Sequence, residues 1–61
     1  MFESYSDVVT VSDVAMMLGI GRNTAYELVR SGIIPSVRIG RSIRVSKDAV
    51  TAYVKDYARV I

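Results

Sequence analysis

Cysteine and histidine are both absent from this chain, and proline occurs once. Without cysteine no disulfide can staple the fold, and without either residue the usual zinc ligand sets are missing. Nucleophilic catalysis fares no better. The acids are scattered, and Ser12, Ser31, Ser36, Ser42 and Ser46 have no histidine to activate them. These serines suit helix caps and turns instead. Long apolar runs are also lacking, far short of the roughly 20 residues a membrane helix needs. The opening residues, MFESYSDVV, lack the basic start and apolar stretch of a secretory signal. The expectation is a soluble, cytoplasmic protein that is not an enzyme and needs no cofactor and no metal. With 61 residues it makes one domain, which buries only about 60% of the surface its unfolded chain exposes.

What is present is unevenly placed charge. Residues 1–18 hold Glu3, Asp7 and Asp13, a net of −3. Residues 19–47 hold Arg22, Arg30, Arg38, Arg41, Arg44 and Lys47 against Glu27, a net of +5, and the remainder balances to a total of +2. A cationic middle segment points to an anionic partner.

Local patterns place that segment on secondary structure. Residues 1–8 have no period and are expected as a loose, flexible arm, with the folded domain over 9–61. Thr10 followed by Asp13 reads as a capping box, with Ser12 as the alternative cap. Val11, Val14, Ala15 and Leu18 then share one helical face, and Gly19 ends a helix of about two turns. A second helix runs from Arg22 to about Ser31, with Ala25, Leu28 and Val29 inward and Ile20 placed to staple onto Ala25. So short a connection forces a steep crossing, as in a helix-turn-helix. Met16 and Met17 flank the first helix's inner face as core fillers.

Next comes a β ribbon, VRIGRSIRV, over 37–45. A three-residue loop, Gly40 to Ser42, would pair Ile39 with Ile43, Arg38 with Arg44 and Val37 with Val45. That register is the expectation, because it alone gives one apolar and one basic face, although three-residue loops prefer glycine last. Ser46 caps a third helix that presents Val50, Tyr53, Val54, Tyr57 and Ile61 to the core. The fold class is mainly α with a small β-hairpin, in the order helix, helix, hairpin, helix.

On the second helix Arg22, Asn23, Tyr26 and Arg30 fall within about 100° of arc, with Ala25 and Val29 on the other side of Arg22. Arginine offers two donors to guanine or phosphate, asparagine can read adenine, and tyrosine can meet phosphate or a thymine methyl. A basic helix followed by a basic ribbon fits the two surfaces of duplex DNA, helix in the major groove and ribbon tip, with Arg41, on the backbone or in the minor groove. The plainer alternative is a solvated face whose charge discourages strand pairing. Glu27 sits at the margin of the stripe. Gly19-Ile20-Gly21-Arg22 superficially matches a phosphate loop, but no strand precedes it.

Three runs carry a resemblance: TVSDVA at 10–15, LGIGRNTAY at 18–26 and GIIPSVRIGR at 32–41. Together they resemble the small excisionase-type helix-turn-helix domains, relatives of the MerR-type winged helix, over most of the chain. The resemblance implies a winged helix-turn-helix whose second helix, with Arg22, Asn23, Thr24, Tyr26 and Arg30, enters the major groove. The implied wing carries Arg38, Arg41, Ser42 and Arg44. Two positions depart from the family pattern: Gly21 stands where serine is common, and Ser42-Ile43 where larger residues are. Chains of this kind are often recombination directionality factors of phages or mobile elements. They bend duplex DNA beside an attachment site and recruit a tyrosine or serine integrase. A small phage or plasmid transcriptional regulator is the alternative, and an adaptor for an acidic protein is the alternative of another class. A single small module covers few base pairs, so cooperative self-association on DNA is expected, through residues 1–8 and through Tyr57 and Ile61.

Overall fold

The computed structural model describes residues 2–60, with side chains as far as Asp56. In chain order the elements are strand β1 (Val8–Val9), helix α1 (Val11–Leu18), helix α2 (Arg22–Arg30), strands β2 (Val37–Ile39) and β3 (Ser42–Ser46), and helix α3 (Lys47–Val60). This is the expected order with one strand added at the front.

Helix α1 starts where the capping box puts it. The Asp13 amide donates to the Thr10 hydroxyl at 3.1 Å, and the Asp13 carboxylate accepts from the Thr10 amide at 3.2 Å. Thr10, not Ser12, is therefore the cap. At the other end Gly19 adopts φ 66°, and the amides of Gly19 and Ile20 donate back to the carbonyls of Met16 and Ala15. Those two bonds form a Schellman motif, which satisfies carbonyls the helix would otherwise leave orphaned. The chain turns at once into α2, whose cap, Gly21, offers no side-chain hydrogen bond. Ser46 caps α3 through a 3.0 Å bond from the Ala49 amide.

Val9, Val11, Val14, Ala15, Ala25, Val29, Ile34, Val45 and Val50 form the buried core. Both helix faces predicted from spacing supply it. Ile34, fully buried, is a core residue that periodicity could not find, because it lies in the irregular segment between Gly32 and Pro35. Met16 is not a core filler, being 71% exposed, while Met17 packs against the core edge. Tyr5 and Tyr53 pack there too. The side chains of Tyr57 and Ile61 lie outside the described residues.

The described part of residues 1–8 touches the rest of the fold. Val8 and Val9 pair antiparallel with Ser46 and Val45. The Lys47 amide donates to the Asp7 carbonyl at 2.7 Å, and the Lys47 ammonium reaches the Tyr5 carbonyl at 3.4 Å and the Asp7 carboxylate at 3.9 Å. Phe2 and Tyr5 meet edge to face, with ring centroids 6.2 Å apart, against the core. A segment with no period can still be held when its few apolar residues and backbone groups find partners on a neighbouring strand.

The hairpin register differs from the expected one. Val37 pairs with Arg44, Arg38 with Ile43 and Ile39 with Ser42, around a two-residue turn of Gly40 and Arg41. Turn chemistry decides this. Gly40 has φ 61° and Arg41 does not share a positive φ, the requirement of a two-residue type II′ turn with glycine first. The apolar alternation that favoured the other register misleads, because Val37 and Ile39 are not core residues; each is 62% exposed.

Candidate nucleic-acid interface

The observed register sets where the wing arginines point. Val45 and its partner Val9 are buried, so their side of the sheet faces the core. Side chains alternate along a strand and directly paired residues share a face. Ile43 and its partner Arg38 therefore stand on the core side, while Arg44 with Val37, and Ser42 with Ile39, stand on the other. The expected cross-strand pairing of Arg38 with Arg44 does not occur. The like-charge repulsion it would have cost is absent, and Arg38 is turned toward α2 rather than away from it.

A groove of about 330 Å³ separates α2 from the wing, lined by Tyr26, Val29, Arg30, Ser36, Arg38 and Ile43. A second depression of about 390 Å³ continues it toward the wing tip, lined by Tyr26, Arg38, Arg41, Ser42, Ile43 and Arg44 together with Thr10, Val11 and Ser12. Tyr26, Arg38 and Ile43 are common to both. Tyr26 and Arg30 from the helix thus share the first depression with Arg38 from the wing, while Arg38, Arg41, Ser42 and Arg44 border the second. Arg22, Asn23 and Thr24 are exposed at the start of α2, outside these two depressions. The start of α1 forms part of the wall, a contribution that charge counting passed over because Thr10, Val11 and Ser12 carry none.

Two of the arginines have polar partners within the chain. The Arg30 guanidinium pairs with the Glu27 carboxylate at 3.2 Å, both side chains well exposed. The half-buried Arg44 donates to its neighbour's carbonyl, that of Ile43, at 3.2 Å. Among the described residues no cluster of acidic residues could hold a metal ion. Nor is any described helix long and apolar enough to cross a membrane.

Two helices joined by a glycine turn, followed by a β-hairpin and a third helix that packs on β3, make a winged helix-turn-helix fold. Residues 8–57 match the family described as a helix-turn-helix domain, and the chain belongs to that family. A protein named "Excisionase" from Streptomyces ambofaciens is 34% identical over 50 residues, covering 82% of this chain and 81% of that protein. A "Probable excisionase" from Saccharopolyspora erythraea is 48% identical over 46 residues, covering 75% of this chain and 47% of that one. A Mycobacterium tuberculosis protein whose name assigns it DNA binding is 40% identical over 48 residues, 79% of this chain. The chain spans 62% of the length of the mycobacterial relative. No solved structure matches the chain significantly.

Proposed function

We propose that this chain binds duplex DNA sequence-specifically through α2 and the wing, and that it acts architecturally in site-specific excision of a phage or mobile element. The observation that carries this reading is the convergence of Tyr26 and Arg30 from α2 with Arg38 from the wing on one groove. A helix of nine residues enters a major groove about 12 Å wide, and a neighbouring ribbon can then rest on the flanking backbone. In this role Arg22 and Asn23 read base edges, and Thr24, Tyr26 and Arg30 meet phosphates or a thymine methyl. Arg38, Arg41, Ser42 and Arg44 hold the wing against the backbone or minor groove. The excisionase names of two relatives support the recombination role. The chain then works by bending DNA and recruiting an integrase of the tyrosine or serine class, several copies sitting side by side, and performs no catalysis itself. A small transcriptional regulator would use the same surface.

Salt titration tests the DNA reading. Each phosphate neutralised contributes about 0.9 to the fall of log affinity with log salt on duplex DNA. Arg41→Ala is expected to weaken a selected duplex and a random one alike and to flatten that slope by about 1. Salt-independent binding of the wild-type chain to duplex would refute the proposal. Excision of an attachment-site substrate by a partner integrase, with and without this chain, separates recombination from transcriptional control.

A further inference from the structure

The one acidic side chain on α2 sits among the groups proposed to read DNA. Glu27 is four residues from Asn23 and three from Arg30, so all three rise from adjacent positions on the same helix surface. Its carboxylate holds the Arg30 guanidinium at 3.2 Å, while Arg30 also lines the groove shared with Tyr26 and Arg38. Arg30 thus stands between two anions: the carboxylate it has, and any phosphate that reaches the groove. A carboxylate on a DNA-facing helix repels every phosphate but can accept a hydrogen bond from one kind of base donor in particular, the cytosine amino group.

We propose that Glu27 is a specificity-determining residue. On non-cognate duplex it keeps Arg30 paired and withheld from the backbone. On the cognate site its carboxylate accepts from a cytosine amino group, which releases Arg30 to a phosphate. This rests on α2 facing the major groove, as argued above. A pair exposed to this degree holds Arg30 only weakly, so the device tunes preference rather than gating binding outright.

The test uses the full chain, a random-sequence duplex and duplexes selected from a randomised pool. Glu27 is 69% exposed in its side chain, so Glu27→Gln is expected to leave the melting temperature unchanged. The variant should bind random duplex about two- to fivefold more tightly, with a salt slope steeper by about 0.9, one added phosphate contact. Among selected sites, a cytosine preference of the wild type should relax or change to adenine, the base a glutamine amide pairs with. In an Arg30→Ala background the gain on random duplex should shrink, because the arginine to be released is gone. Unchanged affinity for random duplex with an unchanged base preference would overturn the proposal. So would an equal gain with and without Arg30. If the wild-type chain itself binds no duplex, the DNA-binding reading falls and Glu27's role falls with it, an outcome distinct from a wild type that binds and a variant that behaves identically.

Discussion

Helix α2 and strand β2 flank the same groove but are held in different ways. Helix α2 is anchored from beneath by Ala25 and Val29, both buried, and from its start by the Schellman turn that ends α1. Strand β2 has no buried residue; Val37, Arg38 and Ile39 are all exposed, and the strand is joined to the sheet at one edge by its pairing with β3. The helix cannot move without disturbing the core, whereas β2 can open while the core stays intact. Local opening free energies range from near zero up to the global value, and an exposed edge lies toward the low end. In the proposed role this suits the two tasks: base readout needs a fixed helix, and a wing meeting grooves of variable width needs some give.

The largest effect that would sharpen this contrast comes from matched truncations on its two sides. Ile34→Ala removes a fully buried side chain from beneath α2. It is expected to cost about 2–5 kcal/mol, much of the total stability of a small domain. Ile39→Ala trims an exposed residue of β2 and should stay within about 0.5 kcal/mol. Urea denaturation of the two variants gives the comparison directly. Equal losses would mean that β2 is packed as firmly as the core.

A smaller effect should appear at the turn. Gly40 has φ 61°, and a Cβ added there would meet nothing within 4 Å, so alanine costs only backbone strain, about 1–3 kcal/mol. Because β2 is an edge, Gly40→Ala should relieve that strain by opening the wing. Amide exchange is expected to speed up in β2 and at the tip of β3, with α1 and α2 unchanged. Uniform acceleration across the chain would instead tie the wing to the global fold.

The same contrast explains what could be read in advance. The α1–α2 unit is written in short-range signals: Thr10 with Asp13 for the start, Gly19 for the stop, and apolar residues at helical spacing that do face the core. Each depends on neighbours within four residues. The hairpin register escapes the sequence because two local rules conflict, alternation favouring a three-residue loop and glycine at the first turn position favouring two. Alternation loses because it presumes that β-branched residues are buried, and burial is a tertiary fact: no residue of β2 is buried. Ile34 and the pairing of Val8–Val9 with β3 were illegible for the same reason, since each depends on a partner remote in sequence. The exposed stripe on α2 was legible from its 100° spacing. The turn of Arg38 toward that stripe was not, because it follows from the register.

The smallest expected effect probes the one weak point of the firmer region. Helix α2 begins at Gly21 with φ −70° and ψ 155°, the extended geometry of a cap, but without a side chain to accept from its free amides. An added Cβ at Gly21 would meet nothing within 4 Å. Gly21→Ser therefore supplies the missing acceptor at no steric cost, and serine improves on glycine as a cap by a few tenths of a kcal/mol. For a domain of this size the melting temperature should rise by about 1–3 °C. On a selected duplex the same change should leave affinity near its starting value, because the turn that ends α1 and the buried Ala25 already hold this end of α2. A large gain in affinity would show instead that this end of α2 is loose in the free protein and ordered only on DNA, which would bring the helix closer in character to the wing.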